Sequence, residues 1–293
     1  MHKVFFASPA RFLAVLLAIS ATAAVIGAQA ANPAAPAAAP VQGSTAAETN
    51  NELLAKAVKL YYSTDKAGLA GFDCAVHPDW HALFVSDGNS AIDAADPRIV
   101  LLNAVSIAFH ARMKGGSGVD WNPPAHPGQP LDKESANLLD KMQAGTAQTL
   151  QGFMQFWTPF VDGSIIPDSS DGVEITPTGK GGYTLHADQE GTALTEILDG
   201  GLVLQQFNVA MNGMTVDFSP LYKSTEKGLL VTSFVAHIVP AGAATGQADE
   251  MHVSIEYQAI DGFPIPAKLN MEELNHGIFN FVLDGCKVAR QAR

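Results

Sequence analysis

The stretch MHVSIEYQ at residues 251–258 shows most clearly how this chain folds. Met251, Val253, Ile255 and Tyr257 alternate with polar residues, and a period of two places one face of a strand on a core and the other toward water. An apolar segment, 229–239, precedes it across a soft turn rich in Gly and Ala. Because a parallel crossover needs a dozen or more residues, this short connection predicts antiparallel neighbours.

Strand patterns continue on both sides of this pair. Upstream, Asp199-Gly200-Gly201 and Asn212-Gly213 have the composition of tight turns between short apolar segments. Downstream, segments 267–271 and 278–288 close the chain. A succession of about 8 to 10 strands joined by short turns predicts a strongly curved antiparallel sheet, an unclosed β-barrel.

Three segments have the pattern of helices. An amphipathic helix is predicted from about residue 51. Asp96-Pro97 is a typical helix start, and the apolar run 99–113 that follows predicts a long, deeply buried helix. A second long helix is predicted over 133–157, where apolar residues recur every three or four positions, with Pro159 ending it. We therefore predict an α+β fold in which the N-terminal helix and two long helices cover the sheet.

The N-terminal composition indicates export. Residues 1–30 combine basic residues, an apolar run and the small-residue cleavage pattern Ala28-Gln29-Ala30. Residues 31–50, rich in Ala and Pro, predict a flexible linker. The remainder, 51–293, predicts one domain with a helical insertion at about 96–160. The protein is therefore expected in the periplasm or outside the cell, after cleavage near Ala30.

The charge of the chain narrows its partners. The formal net charge is −12, and loss of the export signal, with two basic and no acidic residues, makes it −14. An acidic protein is not expected to bind nucleic acid or to dock electrostatically on anionic lipid. The alternative is that the acidity only keeps the protein soluble and says nothing about its partners.

Cys74 and Cys286 are the only cysteines. An even number in an exported chain predicts a disulfide, which would join the first strand to the last, and two buried thiols are the alternative. Cys286 has the opposite strand parity to Phe279 and Phe281. A β-bulge at Gly285 would bring Cys286 to the inner face.

The segment YQAIDGFPIP at 257–266 leads into the last strands. Together with the export signal, the opening amphipathic helix and the meander of strands over 172–288, it resembles the periplasmic lipoprotein-sorting and carrier family of the bacterial envelope. The resemblance implies an unclosed β-barrel whose concave apolar face, lidded by helices, receives acyl chains. The two long helices predicted between the first strand and the meander depart from that family's pattern.

Apolar residues on the predicted strands and on the second long helix are candidates for lining a ligand cavity, because aromatic and methionine side chains suit an adaptable apolar pocket. They suit an ordinary core equally well. The candidates are Phe153, Trp157, Phe207, Met211, Met214, Val216, Phe218, Phe279 and Phe281.

Few residues suggest catalysis or metal binding. His77, Asp79 and His81 provide ligand types that suit zinc. Their spacing matches no established metal site, and a polar strand end anchored by Trp80 is the alternative. No catalytic constellation is recognisable, so no cofactor is expected and an enzyme is not predicted.

Three functions follow in order of preference. The first is an exported protein that binds or carries a hydrophobic small molecule, a lipid or an acylated protein, with transient contact to envelope membranes or membrane proteins. The second is a structural or protein-interaction module of the envelope without a ligand pocket. The third is a metal-dependent hydrolase that uses His77, Asp79 and His81.

Overall fold

The computed structural model describes residues 44–86, 92–114, 116–124, 132–161, 165–189, 192–211, 214–239, 249–273 and 277–292. The predicted export signal, the first part of the predicted linker and the Asn212-Gly213 turn lie outside the described residues, as does the side chain of Met211.

The described residues form twelve strands and five helices. The strands are β1 (Leu69–Pro78), β2 (Ser106–Arg112), β3 (Gly116–Asn122), β4 (Val173–Pro177), β5 (Tyr183–Gln189), β6 (Thr192–Leu198), β7 (Leu204–Met211), β8 (Met214–Thr225), β9 (Gly228–Val239), β10 (Asp249–Ile260), β11 (Phe263–Glu273) and β12 (Gly277–Arg290). The helices are α1 (Ser44–Val58), α2 (Thr64–Ala67), α3 (Trp80–Ser86), α4 (Pro97–Asn103) and α5 (Lys133–Val161).

All twelve strands belong to one antiparallel sheet, in the order β3-β2-β1-β12-β11-β10-β9-β8-β7-β6-β5-β4. Strands β4 to β12 follow one another in sequence order, which confirms the predicted meander. The β1–β12 pairing joins this meander to the β1-β2-β3 unit. Within the described part of the chain, β3 and β4 are the two edges, so the sheet is open.

The predicted α+β class, with two long helices covering the sheet, is wrong. The run 99–113 contains only the short helix α4 and then strand β2, in which Ile107, Phe109 and Ala111 are buried and alternate with more exposed residues. A nearly continuous apolar run is compatible with a buried strand as well as with a buried helix, and the period of two decides for the strand. The predicted helical insertion therefore supplies two strands of the sheet.

The second long helix is confirmed as α5. Leu139, Met142, Leu150, Phe153 and Trp157 of its predicted stripe are all buried. The helix does not end at Pro159 but continues to Val161. It is the one long helix on the sheet in the described part of the chain, apart from α1, which begins at Ser44 within the predicted linker.

The sheet bends around α5. Gln151 Nε2 donates to the Ser117 carbonyl on β3 at 3.4 Å, and the Phe160 ring lies 6.5 Å from the Tyr222 ring on β8. These strands are seven positions apart, which is about 34 Å in a flat sheet, whereas nine residues of helix span about 14 Å. Both contacts are possible because the sheet curves, and α5 lies on its concave face.

The chain after α1 is fixed to the start of β9. Leu229 N donates to the Leu60 carbonyl at 2.7 Å, and Tyr62 N donates to the Leu229 carbonyl at 2.9 Å. Gly228 has a φ of +116°, and a Cβ there would lie 2.8 Å from the backbone of Tyr61. Only glycine permits this close approach, which places Tyr61 over the concave face.

The predicted disulfide is confirmed: Cys74 and Cys286 are bonded across a sequence separation of 212 residues. The β1–β12 register shifts between Asp73 and Ala75, and Gly285 on the opposite strand has a φ of +57°. The bulge at Gly285 brings the Cys286 sulfur to Cys74. A disulfide of this kind indicates folding in an oxidising compartment.

Among the described residues, no helix is long and apolar enough to cross a bilayer.

Candidate functional site

The predicted cavity residues whose side chains the structure describes lie in the protein core in two groups. Phe153, Trp157, Phe207, Val216, Phe218 and Phe281 are at most 6% exposed, and Met214 and Phe279 are partly buried against them. Phe279 and Phe281 are on β12, which α3 covers. The others lie on α5 and on the β7–β8 part of the concave face.

Aromatic rings join α5 to the sheet. Phe156 on α5 lies 5.1 Å from the Phe218 ring and 5.5 Å from the Phe234 ring, and Phe207 stacks on Phe218 at 6.1 Å. Such offset and edge-on pairs add about 0.5–1.5 kcal/mol beyond their buried area. In this part of the interior Phe207 and Phe218 are therefore in contact with each other, and Phe218 is in contact with the helix.

A buried carboxyl interrupts the apolar concave face. Glu196 on β6 is 3% exposed and lies between Leu194 and Leu198, which face the same side. Its cross-strand neighbours are Leu185 on β5 and Phe207 on β7, both buried. A carboxyl group enclosed by apolar side chains is rare, because desolvation of the charged form is unfavourable.

Two tyrosines accompany this carboxyl. The Tyr61 ring lies 5.3 Å from the Tyr222 ring, edge to face, and the Tyr61 hydroxyl accepts a hydrogen bond from Leu204 N at 2.7 Å. Glu196 Oε2 and the Tyr222 hydroxyl are buried and have no hydrogen-bond partner among the described residues. We call Glu196, Tyr61 and Tyr222 the buried polar cluster.

Burial sets the protonation of this cluster. Desolvation raises the pKa of the Glu196 carboxyl well above its ordinary value of 4.5. Desolvation also raises the pKa of Tyr222, and the nearby Tyr61 and Glu196 raise it further. The pKa of Tyr61 is raised to about 12, again mainly by burial. The two phenols are therefore neutral near pH 7, and burial favours the protonated form of the Glu196 carboxyl, so the cluster presents hydroxyl hydrogens together with oxygen acceptors.

Glu196 is absent from the predicted site residues, although the sequence contains a signal for it. In the segment 192–198, Leu194, Glu196 and Leu198 have the same strand parity, so a strand with both leucines inward places Glu196 inward as well. Nothing in the sequence shows that Tyr222, two strands away, and Tyr61, outside the meander, lie beside it.

The structure does not bring the three predicted metal ligands together. His77 Nε2 lies 3.2 Å from Asp284 Oδ1 on β12, and His81 Nε2 lies 3.2 Å from the Ile92 carbonyl. Asp79 Oδ1 accepts a hydrogen bond from Ala82 N at the start of α3. Within the described ranges, no group of three His, Cys, Asp or Glu residues is placed to hold a metal ion.

Two histidine–carboxylate clusters lie on the outer face of the sheet. His110 Nδ1 is 2.8 Å from Asp73 and its Nε2 is 3.1 Å from Asp120. In the second cluster, Glu250 on β10 contacts His237 on the adjacent strand β9 and His252 on its own strand. These side chains are about one third exposed or more, and exposed ion pairs of this kind contribute little to stability. We interpret both clusters as ion pairs between neighbouring side chains on a solvated surface.

Comparison with known proteins gives no family. No protein-family model matches the chain, and a search of curated proteins finds no similar protein. The function is therefore inferred from the site and from the sequence.

The pH dependence of stability should reveal Glu196. Because its pKa is higher in the folded protein than its ordinary value of 4.5, the folded state holds the proton more tightly, and stability falls as pH rises above that value. The decrease is about 1.4 kcal/mol per pH unit until the folded pKa is reached. Glu196→Gln, which cannot ionise, should lack this decrease.

Urea unfolding between about pH 5 and pH 8 measures this difference, with the urea midpoint and slope analysed at each pH. Glu256→Gln is the matched control, since Glu256 on β10 has a 68% exposed side chain and should leave the pH profile unchanged. Parallel profiles for the wild type and Glu196→Gln would show that Glu196 is ionised in the folded protein.

Proposed function

We propose that this chain is a non-enzymatic, exported protein of the cell envelope that binds or carries a hydrophobic ligand, a lipid or the acyl chain of a lipoprotein. The ligand lies between α5 and the β6–β8 part of the concave face. The chain acts in the periplasm or outside the cell after cleavage near Ala30.

The observation that favours this function is the curvature of one open sheet, apolar on its concave face, around the long helix α5. The concave face presents Leu185, Leu194, Phe207 and Phe218 from successive strands. An interior lined in this way suits acyl chains, whose transfer from water is favoured by about 0.8 kcal/mol for each buried methylene group. The resemblance to periplasmic lipoprotein carriers, drawn from the sequence, agrees with this geometry.

The rings of α5 and the sheet favour a second candidate. Phe156, Phe218 and Phe234 meet one another directly, and side chains in contact occupy the space that a ligand would need. An envelope interaction module with a packed interior has the same contacts. The two functions differ in whether the purified protein takes up an apolar molecule.

Native mass spectrometry of the exported protein, followed by solvent extraction, tests the proposal. We expect an apolar molecule bound at one per chain, and uptake of dodecane by the extracted protein. Leu221→Ser is the control for adsorption on the outer face, because Leu221 on β8 is 66% exposed, and it should take up dodecane as the wild type does. A protein that carries no apolar molecule and takes up no dodecane is the interaction module.

A further inference from the structure

The buried polar cluster is unfavourable for folding as it stands. Glu196 Oε2 and the Tyr222 hydroxyl have lost their water partners, and no described residue replaces them. An unpartnered buried polar group destabilises a protein, and apolar residues of similar size are often tolerated as well or better at such positions. In native proteins most buried polar atoms have a partner in the protein, a water or a ligand. The two free oxygens therefore indicate a further partner in the interior.

The position of the cluster indicates what that partner is attached to. Glu196 projects from the same face as Leu194 and Leu198 and lies opposite Phe207. Phe207 stacks on Phe218, which contacts Phe156 of α5. The cluster thus lies against the apolar surface on which the proposed hydrophobic ligand rests.

The charge of the cluster limits the chemistry of the partner. Burial is the cause of the raised pKa of Glu196, and no described cation lowers it. A phosphate or carboxylate head would lie beside a carboxyl group and phenol oxygens without a counter-ion, which is unfavourable in an apolar interior. An alcohol, which donates and accepts neutral hydrogen bonds, or an ester, which accepts them, fits the hydroxyl and carboxyl groups present.

From these observations we infer that Glu196, Tyr222 and Tyr61 bind the uncharged, oxygen-bearing head of an amphipathic ligand, an alcohol or an acylglycerol ester, whose alkyl chain lies against Phe207 and Phe218. This inference rests on the proposed function, since the alkyl chain occupies the same interior. Glu196 and Tyr222 supply the two free oxygens, and Tyr61 positions the Tyr222 ring by its edge-on contact.

Calorimetric titration of the exported, solvent-extracted protein with two probes of equal chain length tests the inference. The probes are 1-monododecanoylglycerol, which has the polar head, and dodecane, which lacks it. Glu196→Leu and Tyr222→Phe should each weaken binding of the monoacylglycerol about tenfold, the effect of losing one hydrogen bond. Dodecane binding should stay the same in both variants. Tyr183→Phe on β5 is the control for the loss of a phenol elsewhere on the sheet.

The possible outcomes separate the two proposals. If each probe binds Glu196→Leu as tightly as it binds the wild type, the free oxygens hold an internal water. The head-group site is then wrong, while the proposed function stands. If Glu196→Leu and Tyr222→Phe weaken both probes equally, the cluster has only a structural role and the inference fails. If neither probe binds the wild type, the proposed function fails as well.

Discussion

Replacing both Cys74 and Cys286 by alanine should lower the free energy of unfolding by about 3 to 5 kcal/mol. The disulfide closes a loop with a sequence separation of 212 residues, and removing the cross-link gives the unfolded chain back the conformational entropy of that loop. Alanine is the appropriate replacement because Cys74 is 3% exposed among apolar residues, where a serine hydroxyl would add a buried polar group.

The position of the bond makes the effect large. The β1–β12 ladder is the pairing that joins the β1-β2-β3 unit to the meander β4–β12. Its two strands come from opposite ends of the domain, so the unfolded chain must bring them together at a high entropic cost. The disulfide removes most of that cost in the oxidised protein. We therefore expect β1, β2 and β3 to be the first part to separate when the bond is absent.

Urea unfolding followed by circular dichroism, with and without reductant, measures this effect. The double variant should unfold at a lower urea concentration than the oxidised wild type and should not respond to reductant. The reduced wild type should resemble the double variant. A difference below about 1 kcal/mol between the oxidised and reduced wild type would mean that the β1–β12 ladder is stable without its cross-link.

Trp157→Ala should destabilise the protein by about 3 to 5 kcal/mol, the usual range for removing a large buried aromatic side chain. Trp157 is 0% exposed, and its ring lies 6.1 Å from Phe72 on β1 and 6.1 Å from Phe153 on α5. Its Nε1 donates to the Tyr257 hydroxyl on β10 at 2.8 Å. One side chain therefore links α5 to two strands that are three positions apart in the sheet.

Trp157→Phe separates the contribution of ring packing from that of the hydrogen bond to Tyr257. Phenylalanine keeps an aromatic ring but cannot donate to Tyr257, so we expect a smaller loss of about 1 to 2 kcal/mol from the missing hydrogen bond. Gln143→Ala on the exposed side of α5 is the control and should change stability by less than about 0.5 kcal/mol. Equal stabilities of Trp157→Ala and Gln143→Ala in urea unfolding would contradict the role of Trp157 in fixing α5 to the sheet.

The disulfide and Trp157 both help to hold the curvature of the sheet. An open sheet of twelve strands has no closing pair of strands, so its curvature depends on what lies against its concave face. Trp157 and its aromatic neighbours on α5 supply that contact on one side, and the Cys74–Cys286 bond fixes the β1–β12 junction. If the proposed ligand occupies the β6–β8 part of the face, it lies beside these supports rather than in place of them.

Local pattern was sufficient for much of the fold. The alternation at 251–258 predicts β10 because a period of two has one simple physical explanation, a strand with one buried face. The stripe of α5 predicts a helix because apolar residues recur at helical spacing over many turns. The two cysteines, in a chain with the composition of an exported protein, predict their own bond, and Gly285 supplies the bulge that their parity requires.

The sequence by itself determined the meander and the long helix α5, because each depends on residues that are close in the chain, and it predicted the Cys74–Cys286 bond with two buried thiols as the alternative. The run 99–113 is apolar enough for a buried helix and also has a period of two over Ile107, Phe109 and Ala111, and the tertiary structure, through the ladder of hydrogen bonds with β1, decided for strand β2 in its second half. The tertiary structure also decided the buried polar cluster, because the distance between Glu196, Tyr222 and Tyr61 depends on how the sheet curves and on where the chain after α1 crosses it.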